Sequence, residues 1–464
     1  MSPVDRSRLP SPAPEALFAF PFATKRQLDN GLGLWSVERR GLPMASVVLL
    51  LPVGAALDPD DKPGLAAMTA DMLDEGSGDR SAIDMQESLG RIGAELDTEV
   101  GPDALILSLT LLERFVPEGL RLLADITVRP RLDEADFDRV RTLRMNRLRQ
   151  LRDVPGVNAE LIFLQSLYGT RAYGHLPIGS SSSLARLQAS DVVGFHQSAY
   201  NPACATLIGV GAIAPDTFAR EVDRAFGSWR GPVGSAPRDP AAQDISLRDA
   251  VVGAGAAARL QIVDRPGAAQ TELRIGHVAV ARKTSAFHAL VLLNAVLGGH
   301  FMSRINLTLR QDKGYTYGAR SAFDFRRMAG PFCVQTSVQT SATGDAVHQV
   351  LSELAAIQGA RPAGEDELHL SISTLTKGYA RNFETTGQVA RGLAQLALHD
   401  LPDETFAEFC PRVRGLNAGE VTHAALAHIR PDAAVVVAVG DRDRIQGDLD
   451  GLGLGRAIVT TADL

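Results

Sequence analysis

Aromatic residues make up only 5% of this chain, and cysteine occurs three times in 464 residues. Hydrophobic residues still reach 45%, so a large core is available, built mostly from Ala, Val and Leu. Cys204, Cys333 and Cys410 are far apart and odd in number. That argues against a disulfide framework and for a reducing compartment or simple buried thiols. No apolar run approaches the roughly 18–20 residues of a membrane helix. The longest, Ala45–Leu57, is broken by Pro52 and Gly54 and reads as a strand with its turn. Excess positive charge is missing too: the net charge of −7 disfavours nonspecific nucleic-acid binding. A clean signal peptide is also missing. The apolar patch Leu17–Ala23 contains Pro21, follows Asp5 and Glu15, and has no small-residue cleavage site. Residues 1–24 therefore read as a leader. A cytoplasmic location is the expectation, with the periplasm as the alternative if a signal has been removed.

The chain does contain a duplicated plan. Pro202-Ala203-Cys204-Ala205 runs through an apolar stretch to Val210-Gly211, and Pro431-Asp432-Ala433-Ala434 runs at the same spacing to Val439-Gly440. An offset near half the chain points to duplication of a domain, not a solenoid. Gly231–Gln243, rich in Gly, Pro and Ala, reads as the linker. It separates an N-terminal half, 25–230, from a C-terminal half, 244–464. In the first half, Ala45–Leu51 and Ala104–Leu111 are strand-like and Phe137–Arg152 is a long helix. In the second, Leu260–Val263, Tyr315–Phe323 and Phe332–Val338 read as strands. Asp264-Arg265-Pro266-Gly267 is a turn, and Ala286–Leu297 is an apolar helix ended by Gly298-Gly299. Short strands and long helices without regular alternation indicate an α+β class.

Two stretches carry chemistry. In Gly64–Ser77, GLAAMTADMLDEGS, a helical segment follows Gly64-Leu65-Ala66. In the second half, Leu297-Gly298-Gly299-His300-Phe301-Met302-Ser303-Arg304 precedes Leu309-Arg310-Gln311-Asp312-Lys313-Gly314-Tyr315-Thr316-Tyr317. Guanidinium and phenol groups both donate hydrogen bonds to a carbonyl. The Arg139, Arg141, Arg144, Arg147, Arg149 and Arg152 series on the long helix lacks interleaved aromatics. It reads as a solvated face or a basic wall, not a nucleic-acid site. His175 and His196 lack ligand spacing, and His423 and His428 read as helix-surface residues.

Together these features resemble the pitrilysin/insulinase/mitochondrial processing peptidase family, the inverzincins. The resemblance covers the chain from about Leu28 to Gly440. It includes Tyr173-Gly174-His175-Leu176-Pro177-Ile178-Gly179, similar to a family loop, which makes His175 a loop residue and not a ligand. The fold implied is two homologous α+β halves closing like a clamshell, each a mainly antiparallel sheet packed with helices. In the family, Gly-Leu-Ala is followed by H-x-x-E-H, whose two His hold zinc while the Glu polarises water. Here those positions read Ala67-Met68-Thr69-Ala70-Asp71. A third ligand, a Glu on a later helix, falls at Asn146 or Arg147. Ala67, Ala70, Asp71 and Arg147 are thus the degenerate metal-site positions, and no zinc is expected in this chain. An Asp71–Arg147 salt bridge is a candidate replacement for the metal as a tie between the helices.

By the same resemblance, Arg310 and Tyr317 match the family's Arg and Tyr of the second half, with Tyr315 as fallback. Gly298 and Gly299 are either a helix cap or a Gly-rich loop touching substrate. An Arg–Tyr pair without a zinc site implies the non-catalytic subunit of a heterodimeric zinc metallopeptidase. Its partner would be a homologous H-x-x-E-H subunit carrying the zinc, and its substrates peptides bound as an added strand. Two alternatives remain: a structural scaffold like the core proteins of the respiratory cytochrome bc complex, which predicts decay of the Arg–Tyr pair, and a homodimer with an unfamiliar site.

Overall fold

The computed structural model describes residues 18–231 and 259–461. The expected linker beyond Gly231, the start of the second half at 244 and residues 1–17 of the leader lie outside the described residues. The strands are β1 Thr24–Gln27, β2 Gly33–Glu38, β3 Met44–Leu51, β4 Gly76–Ser77, β5 Arg80–Ser81, β6 Glu95–Val100, β7 Leu105–Leu112 and β8 Thr206–Gly211 in the first half. The second half has β9 Leu260–Asp264, β10 Gln270–Val278, β11 Ala319–Phe323, β12 Pro331–Gln339, β13 Val435–Gly440 and β14 Ile458–Thr460. The helices that matter below are α1 Leu65–Asp71, α2 Glu134–Arg152, α3 Pro155–Tyr168, α4 Phe287–Asn294 and α5 Thr386–Leu398.

Two six-stranded sheets share one plan. Their orders are β1-β2-β8-β3-β7-β6 and β14-β9-β13-β10-β12-β11. The first sheet holds one parallel pair, β2 with β8, and the second holds two, β14 with β9 and β9 with β13; from β8 to β6 and from β13 to β11 all neighbours are antiparallel. The repeated Pro-to-Gly motif is the same object in both halves. A 3₁₀ turn, Pro202–Cys204 or Pro431–Ala433, feeds β8 or β13, the strand parallel to its neighbour.

The continuous apolar runs have a physical cause. β13 is buried at every position and β3 at all but its first, because each sheet is covered on both faces. One face of each packs on its own half's core: Val47, Leu49 and Leu51 in the first half, Val436 and Ala438 in the second. The other face is covered by a helix from the opposite half. Helix α5 sets Val389, Ala390 and Leu393 against Val48, Leu50, Ile208 and Val210. Helix α3 sets Ile162, Phe163 and Leu167 against Val263, Val435, Val437 and Val439. This reciprocal exchange ties the halves together, each fully buried Leu or Val contributing roughly 1.5–3 kcal/mol.

Part of the expected leader belongs to this packing. Phe20 is buried in the α5 cluster and lies against Phe383 and Phe406, while Phe18 stacks on Phe383. Polar contacts add to the tie. The Tyr173 hydroxyl donates to Asp103, whose other oxygen accepts from the Arg327 backbone N–H at 2.8 Å, and the Tyr168 hydroxyl donates to the Ala329 carbonyl at 3.0 Å. The helical stretch Phe287–Asp312 has a window of mean hydropathy 1.2, apolar enough for a membrane span, although no sequence run reads as one. In the structure 61% of that window is buried in the second half, as for a core helix.

Candidate functional site

Helix α1 begins at Gly64, whose φ of +94° and tight contact with Gly179 suit glycine alone. Its free N–H groups are satisfied from upstream: the buried Asp58 carboxylate accepts from Gly64 and Ala66, both at 2.7 Å. His175 holds Asp58 in turn, its Nε2 lying 3.0 Å from Oδ2. The loop Tyr173–Gly179 thus braces α1, and His175 acts there as a loop residue.

Ala67 and Ala70 are both buried on α1. Asp71, 43% exposed at its side chain, accepts from Arg144 Nη1 at 2.5 Å. Arg144 also donates to the carbonyls of Pro177 and Ile178, at 3.3 and 3.0 Å. The tie expected between Asp71 and Arg147 is therefore made by Arg144 instead. On α2 the buried stripe is Phe137, Val140, Arg144 and Leu148, spaced to face inward. Arg147 lies off that stripe, exposed, with Nη1 3.4 Å from the Gln150 side chain, and Asn146 is exposed and bound to Arg149. These residues do not fit a zinc ion. Two alanines offer no donor, and the one carboxylate is engaged by a guanidinium. Among the described residues, no three His, Cys, Asp or Glu side chains gather into a metal-binding group.

The second half holds an open cleft of ≈ 710 Å³ lined by Gly298, Gly299, Phe301, Tyr317, Arg320 and Gln335, among others. Gly298 and Gly299 do not cap a helix ended at Leu297. They close a π-helical turn, Ala295–Gly299, that continues α4, a feature frequent at functional sites. The turn presses on β11: a Cβ at Gly298 would stand 2.7 Å from the Ser321 backbone nitrogen. Both glycines line the cleft.

Arg310 sits in a second π-helical turn, Leu307–Asp312, half-buried, its guanidinium 4.2 Å from the centre of the Phe301 ring. Tyr317 is 95% exposed at the cleft. It lies in a loop, not on a strand, because β11 starts only at Ala319. Thr316 bends the chain there: its Oγ1 accepts from Gly318 N–H at 3.1 Å and donates to Gly318 O at 2.9 Å. The fallback Tyr315 is committed elsewhere. Its hydroxyl donates to Asp345 at 2.7 Å and, with Gln349 and Lys313, holds that carboxylate at about 2.

Residues the sequence did not single out hold the cleft in shape. Asn306, buried, donates to Phe301 O at 2.5 Å and accepts from Ala319 N–H at 2.9 Å, joining the Phe301 loop to β11. A buried amide within an apolar helix is the signal that would have marked it. Arg304 of the same motif is a structural anchor, bidentate to Glu367 at 2.6 Å. His300 Nδ1 accepts from Met302 N–H at 3.1 Å and Nε2 lies 3.2 Å from Ser371 Oγ; burial lowers its pKa.

Two family models match the chain: the insulinase peptidase family M16 over residues 36–160, and the peptidase M16 inactive domain over residues 186–375. The chain is 23% identical to an uncharacterized zinc protease of Streptomyces coelicolor over 342 residues, 73% of each protein. It is 26% identical to one of Mycobacterium tuberculosis over 326 residues, 70% of this chain and 72% of that protein. It is 24% identical to the mouse mitochondrial-processing peptidase subunit beta over 212 residues, 45% of this chain and 42% of that one. Among solved structures, the M16 inactive domain from Pseudomonas fluorescens aligns with a TM-score of 0.79 at 22% identity, covering 90% of this chain and 98% of that one. A Helicobacter pylori protease aligns with a TM-score of 0.83 at 18% identity, covering 91% and 100%. Fold, duplicated sheets and motifs agree, and the chain belongs to the insulinase (M16) peptidase family, as a member whose zinc helix has lost its ligands.

Proposed function

We propose that this chain is the non-catalytic subunit of a heterodimeric zinc metallopeptidase. Its partner is a homologous H-x-x-E-H subunit that carries the zinc. The observation that carries the reading is the contrast between the two halves. The α1 site has lost every donor but Asp71, while the cleft of the second half keeps Gly298, Gly299 and Tyr317 together, with Arg310 against the Phe301 ring at its rim.

Arg310 and Tyr317 bind an extended peptide held between the subunits. As the scissile carbonyl oxygen gains charge, both groups donate hydrogen bonds to it, and donors placed before the reaction stabilise that charge without reorganisation. The exposure of Tyr317 fits a group awaiting substrate. Tyr315, fixed on Asp345, braces the loop instead.

The test is peptide hydrolysis by this chain alone, by the H-x-x-E-H relative alone, and by the two co-expressed. The reading expects activity in the pair only, with one zinc per pair. Hydrolysis and bound zinc in this chain alone would overturn it. A stable pair whose activity ignores Arg310→Ala and Tyr317→Phe would leave this chain a structural scaffold.

A further inference from the structure

The cleft beside Tyr317 holds a charge that the proposed chemistry does not use. Strands β11, β12 and β10 set Arg320, Gln335 and Arg274 in one cross-strand row. The row lies on the sheet face opposite the second half's own core, because its neighbours Ala319 and Phe323 point into that core.

The two arginines differ in how they are neutralised. Arg274 is buried and donates to Glu272 at 2.6 Å, to Glu160 at 3.1 Å and to the Gly156 carbonyl at 3.2 Å. Arg320 is exposed at the cleft and, among the described residues, has no acidic partner. Glu272, the acidic residue of the lining, is already engaged by Arg274. Arg310 adds a second positive charge over the ring of Phe301, another lining residue. Arg320 is therefore the cation of the lining left without an acidic partner among the described residues, beside an aromatic rim of Phe301 and Tyr317.

We propose that Arg320 is a specificity-determining residue, selecting extended peptides that place an acidic side chain in this cleft beside the segment held by Arg310 and Tyr317. The inference rests on the reading of the cleft as a peptide site. It deepens that reading by naming the substrate's charge.

The test is direct binding of fluorescent decapeptides to this chain co-expressed with its H-x-x-E-H partner, the pair stripped of zinc so that no peptide is cleaved. Sets differ by Glu, Gln or Lys at one position, walked along the peptide. At one position the expected order is Glu, then Gln, then Lys, spread by roughly 3–5-fold at low salt, as for a half-exposed ion pair. Added salt compresses the spread. Arg320→Gln brings Glu and Gln peptides level, and Arg320→Glu inverts the order in favour of Lys. Equal binding of all three peptides at every position, or an order that Arg320→Glu leaves unchanged, overturns the inference while the peptide site stands. Failure of every peptide to bind overturns the peptide site and the inference together. Arg310→Ala weakens all three peptides alike, which separates its role from that of Arg320.

Discussion

Arg144 of helix α2 donates to Asp71 of helix α1, so a salt bridge joins the two helices to which the family resemblance assigns the degenerate metal-site positions. The two partners are unequal. Arg144 has a side chain only 10% exposed and three acceptors, whereas Asp71 is 43% exposed with one donor.

That asymmetry sets the first prediction. Arg144→Ala strands two loop carbonyls and costs about 2–3 kcal/mol, while Asp71→Ala costs less than about 1 kcal/mol. Urea unfolding of both variants and of the double variant should give a coupling of about 0.5–1 kcal/mol. Equal single costs would contradict the asymmetry, and a coupling of zero would contradict the tie.

Gly298→Ala is expected to destabilise the chain by about 1–3 kcal/mol, as overpacking does. The new methyl group would stand 2.7 Å from the Ser321 backbone nitrogen, and backbone cannot rotate away. The same variant should lower peptide affinity, since the displaced strand carries Arg320. Thermal melts and peptide titration check both. An unchanged melting temperature would show that the turn and β11 do not press on each other.

Much of the fold was legible in the sequence, and its failures have physical causes. The Pro202–Gly211 and Pro431–Gly440 repeats announced the duplicated sheet, because each encodes a turn and a doubly buried strand. The reciprocal exchange of α3 and α5 was not legible. A doubly covered strand reads only as apolar, whichever half covers it. The Asp71 partner was missed by one helical turn, since linear alignment fixes spacing along α2 but not which guanidinium turns inward. The alternation of β11 continues back through Tyr317 and reads as strand; Thr316 satisfies the backbone there locally and detaches the loop. Arg320 carried no motif at all, and its meaning came from the cross-strand row.

His399, the residue that closes α5, supplies a pH prediction. Burial, then the charges of Arg282 and Arg327, push its pKa from 6.5 down to about 4. The unfolded chain therefore binds the proton first as pH falls. The stabilising effect of the neutral ring is complete above 6.5 and is lost as pH falls toward about 4. Each pKa unit corresponds to about 1.4 kcal/mol. Urea unfolding at pH 7, 5.5 and 4 should show His399→Leu flattening the slope in that window. An identical slope in wild type and variant would contradict the depressed pKa.

The central claim is that this chain lends Arg310 and Tyr317 to a site completed by a zinc-bearing partner. The most direct measurement is kcat/KM for peptide hydrolysis by the co-expressed pair, with Arg310→Ala, Tyr317→Phe and Tyr315→Phe in this chain. Loss of roughly 100-fold is expected for each of the first two, the scale of removing one preplaced donor. Tyr315→Phe should lose far less, because its hydroxyl is spent on Asp345. Full activity in the Arg310 and Tyr317 variants would contradict the account.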